Sequence, residues 1–424
     1  GEEGGANATT VFAGMGIAAV FKFIVDGLKV IPSVIVAPIK ALKTEISAEV
    51  YPALIGVGYI CGVKIASYMF AGGLIGWFVL IPAIITFGGD TLLYPGTDTI
   101  ANMYAAGGAS AIWRSYIRYI GAGAVAAGGI ISLIKSLPLI ITTFIDAVKG
   151  IKGGRENKLL RTDRDLDMRF IGAGVLVMIL VIWLIPQIPV TLLGAVLIVL
   201  FGFFFGAVSS RMVGLVGSSN NPVSGMAIAT LLFATLCLKT TGDKGIHGMT
   251  GAIAIGSIIC IIAAMAGDTS QDLKTGYILG ATPMKQQIGE LIGAVISAFT
   301  IGGVLILLDS AWGFGTTELS APQATLMRMI VEGVMEGNLP WALVFMGVFI
   351  AIVIEILGIS VLPVAIGLYL PLELSATIMI GGLIRWFTDK KAHSEVKNKD
   401  ADTGILFCSG LIAGEGLVGI LLAV

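Results

Sequence analysis

Long apolar runs recur along the whole chain, and they constrain the fold more than any other feature. A helix needs about 20 apolar residues to cross the hydrocarbon core of a bilayer. The chain is 56% hydrophobic and 12% charged, with a mean hydropathy of +0.96, whereas soluble domains carry about 25% charged residues. A soluble fold of this size could not hide so much apolar surface from water. The sequence therefore predicts an all-α, polytopic transmembrane helical bundle in a lipid bilayer.

About twelve apolar segments meet the length that a bilayer requires. Prolines interrupt three of them, at Pro138, at Pro222 and at the pair Pro363 and Pro371. Because proline removes a backbone donor, broken or re-entrant helices are expected there. The period-two alternation that is typical of strands is absent. The predicted segments are 9–32, 51–69, 70–88, 117–146, 168–186, 188–210, 211–238, 247–267, 286–308, 339–358, 359–387 and 403–423.

Composition excludes several classes of protein. The net charge of −1 gives no electrostatic basis for binding nucleic acid. Two histidines, and four cysteines without metal-ligand spacing, predict free thiols, no metal site and no cofactor. The motifs of serine hydrolases, zinc proteases and nucleotide-binding loops are all missing, so no enzyme is expected. The 58 glycines suit closely packed membrane helices.

Two loops rich in Lys and Arg, 147–167 and 388–402, indicate the orientation of the chain. The positive-inside rule places both in the cytoplasm. Seven predicted segments lie between them, however, and seven crossings would put the loops on opposite faces. One segment therefore enters and leaves on the same side, unless a segment boundary is misplaced.

The chain repeats itself weakly. "YPALIGVGYICGVKIASYMFAGGLIGWF" (51–78) resembles "LPVAIGLYLPLELSATIMIGGLIRWF" (362–387), and upstream "VFAGMGIAAVFK" (11–22) resembles "VFMGVFIAIVIE" (344–355) in the same order. Chance likeness between apolar helices is common, but the ordered pair of matches favours an internal structural repeat. Repeats of this kind are the usual architecture of secondary transporters, with the substrate at the repeat interface.

The stretch "GSSNNPVSG" (217–225) places polar and helix-breaking residues between two apolar runs. Irregular backbone at membrane depth is tolerated only where it is buried in protein or lines a wet cavity. A substrate-binding break is one interpretation, and an ordinary turn between two helices is the other. The predicted substrate-binding residues here are Ser218, Ser219, Asn220, Asn221, Pro222 and Ser224.

A second polar stretch, "AGDTSQDLKTGYILGATP" (266–283), follows an apolar run. Asp268 and Asp272 are four residues apart, so a helix would present both carboxylates on one face. The pair could form a proton or cation relay, or could hold the amine of a substrate; together with Glu355, which lies inside another apolar run, they are candidates for proton coupling. Gln271 and Tyr277 are predicted substrate contacts. A solvated loop is the alternative interpretation.

Two further charges fall inside apolar segments. Lys64 lies in one copy of the repeat and Glu373 in the other. A charge at the bilayer centre is costly unless it is paired or hydrated, so the two could pair across the repeat. The alternative is that each reaches the membrane surface.

Both polar stretches resemble the paired signatures of the oligopeptide transporter (OPT) family, here as "GLVGSSNNPVSGMAIATLL" (214–232) and "DTSQDLKTGYILGATPMKQQIGELIG" (268–293). The closest branch is the prokaryotic one, related to the yellow-stripe-like metal-chelate carriers. The likeness covers essentially the whole chain, as one transmembrane domain over 1–424. The chain opens on "GEEGGANATT" without an initiator Met, so it resembles the C-terminal two-thirds of a family member.

The resemblance implies a secondary active transporter that imports small oligopeptides or metal-chelate complexes, driven by protons. Its expected location is the cell membrane, plasma or inner, as a multi-pass protein. The expected partners are the small-molecule substrate, protons and the lipid bilayer; a homo-oligomer is left open. The family's fungal and plant peptide-carrying branch has an Asn-Pro-Gly signature that this chain lacks. An ion or solute channel is the alternative function, and a membrane-embedded enzyme comes after it.

Overall fold

The computed structural model is mainly helical and separates into two compact units. Unit 1 comprises 1–128, 306–320 and 340–424, and unit 2 comprises 129–305 and 321–339. The residues that the structure describes are 2–152, 160–186, 188–216, 223–242, 245–316, 319, 321–391 and 397–424.

The helices follow the apolar runs of the sequence. Those that lie in unit 1 are α1 (Glu2–Lys22), α2 (Pro52–Leu74), α3 (Ile81–Gly88), α4 (Ile100–Ile112), the start of α5 (Arg118–Lys152), α12 (Trp341–Ile356), α13 (Val361–Tyr369), α14 (Leu372–Lys391) and α15 (Lys397–Leu422). Those of unit 2 are the rest of α5, α6 (Met168–Leu184), α7 (Leu192–Val216), α8 (Val223–Thr240), α9 (Gly245–Leu279), most of α10 (Pro283–Ala311) and α11 (Pro322–Glu336).

Eight helical stretches of the described residues are long and apolar enough to cross a membrane, and two shorter apolar helices accompany them. This confirms the prediction of a polytopic helical membrane protein. The eight are Asn7–Gly27, Pro52–Gly88, Ile100–Lys135, Arg161–Leu184, Leu192–Val213, Gly245–Leu279, Pro283–Ala311 and Thr403–Leu422.

Two predicted segment boundaries are wrong. The boundary expected between 51–69 and 70–88 lies inside α2, and a π-helical turn at Ile75–Leu80 then joins α2 to α3, so that the two segments form one stretch. Pro138 does not divide α5, which continues through it. A proline inside a long helix removes one hydrogen bond and can bend the helix without ending it.

A β-hairpin connects α1 to α2 in unit 1, and the sequence analysis did not predict it. Strand β1 (Val34–Ile39) pairs antiparallel with β2 (Thr44–Glu49) across the full length of both. Lys43 closes the turn in the left-handed conformation, at φ 52°. The Thr44 hydroxyl is buried and donates to the Trp77 carbonyl at 2.6 Å, which fixes β2 against the helices.

The core of unit 2 lies where α7 and α8 both pack against α9. Ile228 of α8 and Ile255 and Ile259 of α9 are fully buried there. Phe201 of α7 meets Phe233 of α8 edge to face, with ring centroids 5.3 Å apart. These contacts make unit 2 a helical bundle with its own apolar core.

Candidate functional site

Unit 1 contains helix breaks inside α2, inside α4 at Gly108, and between α13 and α14; the first and the third of these lie in the repeated segments 51–78 and 362–387. Within α2, Gly62 adopts φ 80° and ψ 164°, which interrupts the helical hydrogen bonds. The run 361–391 is interrupted at Leu370 and Pro371, where Leu370 is extended and α14 begins one residue later. A helix break leaves backbone carbonyls and amides that need other partners, so both breaks create polar backbone inside apolar helices.

The two broken helices pack against each other through reciprocal contacts. A Cβ added to Gly58 would overlap the carbonyl oxygen of Ile378, and one added to Gly367 would overlap that of Met69. These are the same contact made twice, because the residue numbers differ by a constant shift of 309 (367 − 58 and 378 − 69). The backbones can approach this closely only where a side chain is missing.

The same shift relates a second pair of contacts. A Cβ on Gly381 would overlap the Ile55 carbonyl, and a Cβ on Gly72 would overlap the Val364 carbonyl. In all four contacts the partner number falls as the α2 number rises, so α2 runs antiparallel to α13 and α14. A two-fold axis perpendicular to the helices therefore relates the two copies, which makes the repeat an inverted one.

Neighbouring helices obey the same symmetry. A Cβ on Gly14 of α1 would overlap the Phe407 carbonyl of α15, and a Cβ on Gly347 of α12 would overlap the Ile120 carbonyl of α5. Each copy thus contributes three helices, α1, α2 and α5 in the first and α12, α13–α14 and α15 in the second. The mirrored contacts from the other side are Gly410 with Val11 and Gly123 with Val344.

The symmetry brings the two helix breaks together. The shift that relates the copies takes Gly62 onto Pro371, so both copies are broken at equivalent positions, on either side of the axis. It also takes Lys64 onto Glu373. The predicted repeat is therefore real, and its two intramembrane charges occupy equivalent positions beside the breaks.

An arginine of α14 donates hydrogen bonds to backbone carbonyls beside the α2 break. Arg385 Nη1 donates to the carbonyl oxygens of Tyr59 at 3.1 Å and Ile60 at 2.7 Å. A Cβ on Gly62 would lie 3.7 Å from the same nitrogen. Arg385 replaces the Gly76 of the first repeat copy, so this contact has no counterpart at the α13–α14 break.

The hairpin covers the α14 side of the breaks. The Ser47 hydroxyl donates to Glu373 Oε2 at 2.9 Å, and the Thr377 hydroxyl donates to the Glu49 carbonyl at 2.7 Å. The predicted pair of Lys64 with Glu373 does not form: among the residues that the structure describes, no carboxylate makes an ion pair with Lys64. Glu373 instead accepts the hydrogen bond from Ser47 of the hairpin.

Several carboxylates gather at the end of β2. Burial, and then the nearby charges of Glu373 and Glu415, raise the pKa of Glu49 to about 7. Lys22 acts in the opposite direction, but it is engaged with Asp26 at 2.7 Å. The Lys22 ammonium thus stands among the carboxylates of Asp26, Glu49, Glu373 and Glu415. This excess of negative charge favours a bound proton on Glu49 near neutral pH.

The predicted substrate stretch 217–225 falls mostly outside the described residues. The structure does not describe five of the predicted substrate-binding residues, Ser218, Ser219, Asn220, Asn221 and Pro222. Ser224 belongs to the first turn of α8.

The second stretch, 268–277, is not a broken segment: it is the C-terminal part of the continuous helix α9. It has no proline. Two of its hydroxyls bond to neighbouring helices: Ser270 donates to the Ser210 carbonyl at 2.8 Å and Thr269 donates to Glu290 at 2.7 Å. Asp268, Asp272 and Tyr277 are exposed, and Gln271 is half-buried.

Glu355 is half-buried in the last turn of α12 and belongs to unit 1, whereas Asp268 and Asp272 belong to unit 2. The sequence analysis did not single out Glu49 or Arg385. Comparison of the two repeat copies could have pointed to Arg385, because it replaces Gly76 in the repeated Gly-Gly-Leu-Ile-x-Trp-Phe motif. Nothing in the local pattern marks Glu49, whose surroundings come from distant helices.

An inverted pair of three-helix repeats with coincident helix breaks defines the class of membrane transport proteins built from inverted repeats. The family model of the "OPT oligopeptide transporter protein" matches residues 6–424. The chain belongs to this family of transporters, and it is not an enzyme.

Relatives of the chain carry the names of two kinds of transporter. A protein of Haemophilus influenzae named as an oligopeptide transporter is 29% identical over 96% of this chain and 71% of its own length. A protein of Saccharomyces cerevisiae, also named as an oligopeptide transporter, is 22% identical over 87% of this chain and 57% of its own length. A protein of Oryza sativa named as a metal-nicotianamine transporter is 22% identical over 89% of this chain and 58% of its own length.

Proposed function

We propose that the protein is a secondary active transporter that imports small oligopeptides or metal-chelate complexes and is driven by a proton gradient. Family membership supports the class of activity, and the names of the relatives suggest the two kinds of cargo. A plasma or bacterial inner membrane, which carries a proton gradient, is the proposed location.

The single observation that carries the proposal is the pair of coincident helix breaks at Gly62 and Pro371. Discontinuous helices at the interface of inverted repeats are where secondary transporters bind substrate and coupling ions, because the unwound backbone supplies dipoles and carbonyls at membrane depth. Continuous antiparallel helices could cross the membrane equally well and would need neither break. The alternative of an open channel lacks a comparable observation.

The proposed residues keep the roles that the sequence suggested. The polar stretch 217–225 would contact the substrate, with Gln271 and Tyr277 of α9. Asp268, Asp272 and Glu355 are proposed to carry the coupling protons. Glu49 joins them as a candidate, since its pKa of about 7 lets it exchange a proton at physiological pH.

Uptake into proteoliposomes tests the proposal. The full-length protein would be supplied with labelled di- to tetrapeptides, or with ferric or nickel chelates, with and without an imposed pH gradient. Accumulation above the outside concentration should require the gradient and should collapse with an uncoupler. Accumulation that an uncoupler leaves unchanged would show that protons do not drive transport, and a flux far above about 10³ per second would favour the channel.

Asn220→Leu tests the role of 217–225. Loss of the amide should abolish uptake while the protein still inserts and purifies normally, because a hydrogen-bonding contact would be replaced by an apolar one. Asn220→Gln, which keeps the amide, is the matched control and should retain measurable uptake. Wild-type transport by Asn220→Leu would remove this stretch from the substrate site.

A further inference from the structure

Lys64 occupies an unusual position for a lysine. It lies in the interior of the candidate span Pro52–Gly88, two residues after the Gly62 break, and it is exposed. A charged side chain at membrane depth costs several kcal/mol unless it is paired or hydrated, and it has no ion-pair partner in the described part of the chain. Its symmetry-equivalent, Glu373, is already bonded to Ser47.

We propose that unit 1 holds a carboxylate-binding site at the paired helix breaks, in which Lys64 binds a carboxylate of the transported molecule. This rests on the proposed function and adds a named substrate contact to it. The site is built from residues of unit 1 alone.

The helix break two residues before Lys64 suits an anion. The carbonyls of Tyr59 and Ile60, which would repel a carboxylate, are occupied by Arg385. The Arg385 side chain brings a second positive charge to the break, and its own carboxylate neighbour, Asp389, lies at a loose 3.7 Å. Glu373, which is equivalent to Lys64 in the second repeat copy, is hydrogen-bonded to Ser47 of the hairpin.

A carboxylate is the group that both kinds of cargo share. Every peptide with a free C-terminus carries one, and carboxylates are hard oxygen ligands from which metal chelators are built. An ammonium with three donors binds a carboxylate by charge-assisted hydrogen bonds, which are about twice as strong as neutral ones. An amide or ester in the same place would lose that interaction, so the site predicts discrimination between the acid and its amide.

Chemical labelling of Cys61 can test whether water and a bound carboxylate reach the α2 break. It is exposed and lies one residue before Gly62. In full-length protein in vesicles, with Cys237, Cys260 and Cys408 replaced by Ser, a charged, membrane-impermeant thiol reagent should modify Cys61, because a thiol in a hydrated site ionises and one in lipid does not. Trialanine or ferric citrate, tested separately, should slow the reaction, and trialanine amide should not.

Lys64→Gln provides the decisive variant. Protection, measured in each variant as the ratio of the Cys61 labelling rates without and with the carboxylate probe, should weaken about tenfold or more in this variant, as expected for one charge-assisted hydrogen bond. Lys64→Arg keeps the charge and should retain most of the protection. Lys40→Gln removes an exposed lysine from the hairpin turn and should change nothing.

Three results would overturn the site. The first is failure of the impermeant thiol reagent to modify Cys61 in vesicles, which would mean that the break lies in lipid. The second is protection by neither carboxylate probe. The third is equal protection in the parent and in Lys64→Gln. Labelling needs no transport, so a protein that binds the acid through Lys64 but moves no cargo would contradict the proposed function and leave the site standing.

Discussion

At Glu49, the proton on a single side chain is set by residues from four other segments of the chain. Burial is the largest cause of its raised pKa, followed by Glu373 and Glu415. A carboxyl with a folded pKa of about 7 and an ordinary value of 4.5 binds more protons in the folded state than in the unfolded state between those values. Its contribution to stability is therefore full below pH 4.5 and is lost as the pH rises through 7.

Glu49→Gln should remove this pH dependence, because glutamine imitates the protonated acid. The variant should be more stable than the parent at pH 8, by at most about 3 kcal/mol, and similar to it at pH 4.5. Thermal unfolding of the purified full-length protein between pH 4.5 and 8 is the measurement. Glu45→Gln on the same strand, whose carboxylate accepts from Ser110 at 2.7 Å, should keep the slope of the parent; an unchanged slope in Glu49→Gln would contradict the assignment.

Among the elements, the break in α2 depends on a side chain from α14. Arg385→Leu would leave the carbonyls of Tyr59 and Ile60 without their donor, at a cost of about 1–3 kcal/mol in the free energy of unfolding. The midpoint of thermal unfolding should fall accordingly. Arg328→Leu removes a surface pair with Glu332 on α11 and should cost less than about 1 kcal/mol; an equal loss in both variants would mean that Arg385 does not stabilise the break.

Close contact between α2 and α14 gives a second prediction at this scale. Gly58→Ala places a Cβ against the Ile378 carbonyl and should destabilise the protein by about 1–3 kcal/mol, because a backbone cannot give way as a side chain can. Gly302→Ala on α10 meets nothing within 4 Å and should be neutral or slightly stabilising. Comparable thermal stability of the two variants would show that the helices do not approach as closely as described.

For the whole molecule, the inverted repeat predicts the orientation of the basic loops. Since α14 runs antiparallel to α2, 388–402 leaves unit 1 on the face where α2 begins. A four-residue link (357–360) joins α12 to α13, so α12 runs in the opposite direction to α13 and α14. Because α5 is antiparallel to α12, α5 runs in the same direction as α14, toward the face where α2 begins. The segment 147–167 follows α5, and the positive-inside rule places it on the same side as 388–402.

Single cysteines placed in 147–167 and in 388–402 check this orientation. An impermeant thiol reagent should label both from the cytoplasmic side only, as the positive-inside rule requires. A cysteine in the link 89–99, which follows α3, should be labelled from the opposite side. Labelling of the two basic loops from different sides would mean that α5 does not cross as a single helix.

Helix breaks show which features follow from local sequence and which from contacts. A break at Pro371 is expected because proline removes a backbone donor, whereas α5 continues through Pro138. The break at Gly62 does not follow from local sequence, because glycine is also tolerated inside helices and α2 contains several. Likewise, 268–277 has polar side chains that suggest a break, yet it is helical, and Thr269 and Ser270 bond to neighbouring helices.

The sequence alone determined that this chain is a membrane-spanning helical bundle with an internal repeat, because apolar length and repeated motifs are properties of contiguous segments. Tertiary structure decided which breaks lie together, where the hairpin sits and which charges remain without partners. Those features join residues some 300 positions apart, such as Ser47 and Glu373. Only the packing of distant glycines against carbonyls brings such residues within hydrogen-bonding distance.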